Sequence, residues 1–172
     1  MKIKINFKGM VETFSALAVV ISLVFVGLQM NENTRATRSA IAAETTATIS
    51  EWYNTMADNS DTSRLFRTFI AYPSTLNPDE QYRAIMKLHS IMVILQSTYY
   101  LEEEGTLDTN IRDSLSIVIS TVGTQPGMVM YWQSRRDIFT NENFITFVDA
   151  VVKGEIAIGS ADIYTKQFPD KI

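Results

Sequence analysis

The sequence predicts an all-α protein: a single N-terminal transmembrane helix that continues into a long stalk helix, followed by an antiparallel helical bundle. Three observations carry this. The run Thr13 to Asn31, TFSALAVVISLVFVGLQMN, holds no Asp, Glu, Lys or Arg in 19 residues. No Gly or Pro occurs between Leu28 and Tyr72. Downstream, apolar residues recur at helical spacing between start and stop signals, and no strand pair or hairpin signal competes. The organisation expected is a basic segment at 1–9, a transmembrane helix at 10–31, a stalk helix at 32–59, a helical domain at 60–152 and a tail at 153–172.

At about 1.5 Å per residue the uncharged run spans roughly 28 Å, close to the hydrocarbon thickness of a bilayer. Lys8 and Glu12 close it on one side, Glu32 and Arg35 on the other. A cleaved signal peptide would share the basic start, Lys2, Lys4 and Lys8. It would also need a small-x-small exit, and Val26-Gly27-Leu28-Gln29-Met30 lacks one. A buried core helix is the other alternative. Against it, only Ser15 and Ser22 interrupt the apolar stretch from Phe14 to Leu28. The three upstream lysines, set against Arg35 and Arg38 downstream, favour an inside N-terminus and a body outside the cytoplasm. The absence of cysteine fits an oxidising compartment without requiring one.

From Leu28 onward the chain is rich in Ala, Arg, Glu and Thr, so one helix from about Met10 to Ala57 is expected, roughly 70 Å long. Three-four spacing from Glu12 picks out Ser15, Val19, Ser22, Val26, Gln29, Asn33, Ala36, Ala40, Ala43 and Ala47. Heptad spacing holds such residues on one slowly drifting seam. Small and hydroxyl residues let helices approach closely in lipid, and the alanines would do the same in water. The seam is therefore a candidate surface for self-association or partner binding. The alternative is an ordinary helix whose alanines pack on their own domain. The opposite side, with Ile41, Ile49, Trp52 and Met56, suits docking against the helical domain.

A short helix is expected around Ser63 to Ala71, before the Pro73 turn. Asn77-Pro78-Asp79-Glu80 starts the next: Asn caps, Pro takes the first turn and the acids meet the positive helix end. This helix should run to about Glu104, with Gly105 as terminator. Its apolar residues, among them Tyr82, Leu88, Met92, Val93, Leu95 and Tyr99, go round most of the circumference, so it is expected at the centre. Asp108 should cap a helix to Val122 with Leu115, Val118, Ile119 and Val122 inward. After the Pro126-Gly127 break, Met128 to Phe139 reads as a further helix. Thr140 is the expected cap of the last, which points Phe144, Phe147 and Val148 inward.

The body is acidic: from Glu32 onward there are 12 Lys plus Arg against 18 Asp plus Glu, a net charge of −6. No basic stripe exists for phosphate contacts, which argues against nucleic acid and against broad adsorption to anionic lipid. Candidate chemistry is sparse. The single histidine, His89, lies in the central apolar helix, where a hydrogen-bonded core role competes with a base or a metal ligand. No Cys nucleophile exists, and no elbow motif surrounds any serine. Glu102-Glu103-Glu104 point in different directions on a helix, so a solvated end is the plainer reading than a cation site. Trp132, Arg135, Arg136 and Phe139 form the most distinctive cluster. Trp132 and Arg136 are four apart and can stack. That arrangement suits an anion or peptide pocket with His89, or a buried Trp whose arginine pairs with an acid such as Glu102 or Asp108. Met86, Met92, Met128 and Met130 suggest an adaptable core. No catalytic, cofactor or metal site is expected.

The segment ALAVVISLVFVGLQMNENTRATRSA resembles the start of a widespread group of small, uncharacterised bacterial proteins. In these an apolar helix runs into a Gln-x-x-x-Asn-Thr stretch and an Ala-rich helix; Gln29, Asn33 and Thr34 hold those places. YYLEEEGTLD at 99–108 and PGMVMYWQSRRDIFTNENFITFVD at 126–149 are similar to the same group. The resemblance implies an anchor plus an α-helical domain and no activity. Many members are more basic just after the span, whereas here Glu32 stands there and lysines lie upstream. The expectation is a non-enzymatic, single-pass scaffold or accessory subunit of a bacterial inner membrane. It would contact lipid through residues 13–31 and form a homo-oligomer or bind a larger membrane complex. A membrane-tethered sensor domain that binds a small ligand is the alternative.

Overall fold

The computed structural model describes residues 7–156, with side chains from Phe14 onward except Ala16; most of the expected basic start at 1–9 and most of the tail lie outside these bounds. All regular structure among the described residues is helical. The first helix, α1, runs without a break over Phe7–Ala57, and no Gly or Pro interrupts it after Leu28. The chain divides after Ala40 into two compact units.

In the first unit, every described side chain from Phe14 to Ala40 is exposed. Phe14, Ile21, Leu23, Phe25 and Leu28 are each 59% exposed or more. Among the described residues one helix is long and apolar enough to cross a membrane, and none of its apolar window is buried. That separates it from the core helix of a globular protein, whose apolar side chains are covered.

The second unit begins with the last turns of α1. It continues with α2 (Ser60–Ala71), a 3-10 turn (Pro73–Thr75), α3 (Pro78–Glu103) and α4 (Thr109–Val122). After these come α5 (Pro126–Arg135), a 3-10 turn (Arg136–Ile138) and α6 (Glu142–Val152). One core joins Phe69 and Ile70 of α2, Leu88, Ile91, Met92 and Leu95 of α3, and Ile119 of α4. Met128 and Tyr131 of α5 and Phe144 and Val148 of α6 complete it, and Ile49 and Trp52 of α1 pack against it. Helix α3 packs against α2, α4 and α6, the central role its wide apolar surface implied. It still leaves a strip in solvent: Tyr82, Val93 and Tyr100 are exposed.

Local chemistry explains the boundaries. Asn77 accepts from the Glu80 amide at 3.0 Å, and Glu80 accepts from the Asn77 amide at 3.1 Å, a full capping box with Pro78 in the first turn. Gly105 ends α3 at φ 68°, a left-handed conformation that costs other residues more. Asp108 caps α4 through the Asn110 amide. Four expectations are corrected. Asn59 caps α2, which therefore starts at Ser60 rather than Ser63. Asn141, not Thr140, caps α6, because its Oδ1 accepts from the Phe144 amide at 2.8 Å. Pro126-Gly127, expected as a break before a helix over Met128 to Phe139, forms the first turn of α5, which ends at Arg135 and gives way to a 3-10 turn at Arg136–Ile138. Val118 is 37% exposed, so it lies on the rim of the α4 stripe and not inside it.

Candidate functional site

All the expected seam residues are exposed, and only in the second unit is the opposite side of α1 covered. Ser15, Ser22, Gln29, Asn33, Ala36 and Ala40 are exposed in the first unit, as are Ala43 and Ala47 in the second. In the second unit Ile41, Ile49, Trp52 and Met56 are half-buried on the opposite side of the helix. This polarity follows from about 100° of rotation per residue: the apolar positions turn to the core, so the alanines cannot. Ser22 donates to the Ala18 carbonyl at 2.8 Å and Thr34 to the Met30 carbonyl at 2.9 Å. Those hydroxyls are satisfied by their own helix, which lowers the cost of placing them in an apolar medium.

The distinctive aromatic-arginine cluster converges on an acid that the sequence reading did not name. Trp132 is buried and donates its indole N–H to Asp149 Oδ1 at 2.7 Å. Arg136 Nε donates to the same oxygen at 3.0 Å, and Nη2 to Oδ2 at 2.8 Å. The expected partners are engaged elsewhere: Glu102 pairs with Arg112 at 2.9 Å, and Asp108 is the α4 cap. Hydrogen bonds from Arg136, then from Trp132, hold the Asp149 carboxyl below its ordinary range. Trp132 stacks on Phe139 with centroids 5.5 Å apart and meets Phe144 edge-on. The Asp149 carboxylate of α6 thus takes up the Trp132 N–H of α5 and the guanidinium of Arg136, so this cluster fastens α5 and its 3-10 turn to α6.

His89 sits on the other side of Phe139, with ring centroids 5.6 Å apart. Its Nδ1 lies 2.7 Å from the Tyr131 hydroxyl. Burial, then the charge of Arg135, pushes the imidazole pKa down, and burial pushes the Tyr131 phenol up. Both groups therefore stay neutral around pH 7. Phe139 contacts the rings of both His89 and Trp132, and Arg136 faces Asp149. The glutamate run likewise splits: Glu103 accepts from Asn141 at 2.9 Å and from Asn143 at 2.7 Å, while Glu102 faces Arg112. Among the described residues no group of three His, Cys, Asp or Glu could hold a metal ion.

Several concave features lie where α1 meets the other helices of the second unit, and one of about 530 Å³ lies between α3, α4 and α6, with Tyr99, Glu102, Arg112 and Phe147 in its lining. A broad cleft of about 890 Å³ includes Glu51, Asp58, Arg83 and Lys87 beside Leu65 and Phe66. Lys87 there donates to Thr55 and lies 5.8 Å from the centre of the Trp52 ring. An apolar cleft of about 270 Å³ is lined by Trp52, Phe66, Leu88 and Ile119, with Arg67 in its wall. A second apolar cleft of about 420 Å³ runs between Ile49 on α1 and Ile111 and Leu115 on α4. The two apolar clefts share Tyr53 and Val118. Sequence reasoning assigned Val118 to the core and gave Arg67 no role, so these clefts were missed.

No protein-family model, no curated protein and no solved structure matches the chain.

Proposed function

We propose that this protein is a single-pass scaffold or accessory subunit of a bacterial inner membrane, without enzymatic activity. In this reading α1 crosses the bilayer and continues as a stalk, and the helices of the second unit form an antiparallel bundle held at the membrane surface. The seam Ser15, Ser22, Gln29, Asn33, Ala36, Ala40, Ala43 and Ala47 associates with a second copy or with a larger membrane complex. The observation that carries it is the complete exposure of the apolar stretch of α1. Contiguous apolar surface on that scale is unfavourable in water and is satisfied by lipid or by another protein. The charge distribution supports a periplasmic body.

The absence of native cysteine makes the test clean. Single variants Ala40→Cys, Ala43→Cys and Ala47→Cys, oxidised in intact membranes, are expected to cross-link to a second copy or to a fixed partner. Thr45→Cys, on the half-buried side, is not. Equal cross-linking at Thr45 and at the alanines would overturn the seam. Extraction of the protein from membranes by alkaline carbonate would overturn the anchor.

A second reading, a membrane-tethered sensor that binds a small ligand, is favoured by the apolar clefts beside α1.

A further inference from the structure

The broad cleft formed by α1, α2 and α3 carries acids on one helix and bases on another. Glu51 and Asp58 are seven residues apart on α1, so they share a face and lie about 10 Å apart along the axis. Arg83 and Lys87 are four apart on α3 and share a face in the same way. The two helices touch between these charges. Trp52 donates its indole N–H to the Lys87 carbonyl at 3.2 Å, and the Lys87 ammonium donates to Thr55.

Opposite charges on facing helices would ordinarily close on each other. Here they do not: among the described residues no ion pair engages Glu51, Asp58, Arg83 or Lys87. Lys87 is held instead by Thr55, 5.8 Å from the centre of the Trp52 ring. Between the charges the lining is apolar, with Leu65 and Ala84 buried and Phe66 half-buried. The cleft lies within the second compact unit, and its volume of about 890 Å³ falls in the range of small-ligand sites, roughly 300–1,000 Å³.

Such a lining selects a molecule with a cation at one end, an anion at the other and apolar groups between. Spacing narrows the class. Packed helix axes lie about 8–10 Å apart, and an extended chain gains at most about 3.3–3.6 Å per residue. A single amino acid carries both charges on one carbon and reaches one side only. Three residues place the two termini about 10 Å apart and reach both.

We propose that this cleft binds a short apolar peptide with free termini. Its ammonium group lies against Glu51 and Asp58, its carboxylate against Arg83 and Lys87, and its side chains against Leu65 and Phe66. The proposal gives the sensor reading a ligand and does not depend on self-association.

The test titrates the full chain in lipid nanodiscs with tri-leucine by calorimetry, beside N-acetylated and C-amidated tri-leucine and empty nanodiscs. Saturable binding of the free peptide is expected, with each capped form about fivefold weaker, the upper range for an exposed ion pair. Arg83→Gln should weaken the free peptide about fivefold and leave the amidated one unchanged. Asp58→Asn should weaken the free peptide alike and leave the acetylated one unchanged. Arg83 and Asp58 are exposed, so both variants should keep the parent melting temperature. No saturable binding, equal affinity for free and capped peptides, or equal loss of free and amidated peptide in Arg83→Gln would overturn the proposal. Equal heat from empty nanodiscs would also overturn it, by showing partition into the bilayer. Its failure would leave the apolar clefts, and with them the sensor reading, in place.

Discussion

Asp149 carries more of the α5–α6 connection than any other polar residue described. It accepts from the buried Trp132 N–H and from Nε and Nη2 of Arg136. Asp149→Asn should cost about 1–3 kcal/mol in urea unfolding, since one charge-assisted pair is lost and Arg136 keeps part of its solvation. Asp137→Asn is the control: its contact with Arg136 is 3.7 Å and its side chain is 98% exposed, so no measurable change is expected. The pH dependence has a fixed sign. The folded pKa of Asp149 is depressed, so its contribution is complete above the unfolded value of about 3.9 and is lost as pH falls through the lower folded value. His89 behaves alike for a different reason. Its folded pKa is also lowered, by burial and by Arg135, so protonation favours the unfolded chain. Stability should therefore fall as pH drops from about 6.5 through the folded value. His89→Gln should flatten that part of the melting-temperature profile. An unchanged slope would assign it to other groups.

At the scale of elements, close approach and capping set the positions of the helices. A Cβ on Gly127 would lie 2.1 Å from the Phe69 carbonyl oxygen and 2.8 Å from the Ile70 Cα. The first turn of α5 therefore rests directly on the backbone of α2. Gly127→Ala must move one helix off the other and should cost about 3 kcal/mol, measured by chemical unfolding. The two Asn caps should separate by burial. Asn77 is exposed, and Asn77→Ala should cost about 1 kcal/mol. Asn141 is 3% exposed and also donates to Glu103, so Asn141→Ala should cost about 2 kcal/mol, with the unfilled bond to Glu103 as the added loss. Equal costs would mean that the α3–α6 contact adds nothing to the cap.

For the whole molecule, local rules made the all-helical class and most helix limits legible. The unbroken α1, the Asn77-Pro78 start and the Asp108 cap each depend on a few neighbouring residues. The buried side of α1 in the second unit was legible too, because Ile41, Ile49, Trp52 and Met56 repeat at helical spacing. What escaped depends on tertiary geometry. Periodicity places Arg136 on a face but does not select Asp149, 13 residues on, over Glu102 or Asp108. It gives Val118 the same angle as the core residues and cannot show that this residue ends at the rim. Thr140 and Asn141 are both good caps, and only the backbone path decides between them.

The central claim is that the exposed face of α1 associates. The most direct measurement is the molar mass of the full chain in a mild detergent by light scattering, for the parent and for Ala40→Leu with Ala43→Leu. The parent is expected to run as a defined oligomer or with a stoichiometric partner, and the double variant as a monomer of the same helicity. A monomeric parent at every concentration and without a partner, or an assembly that survives both leucines, would contradict the account.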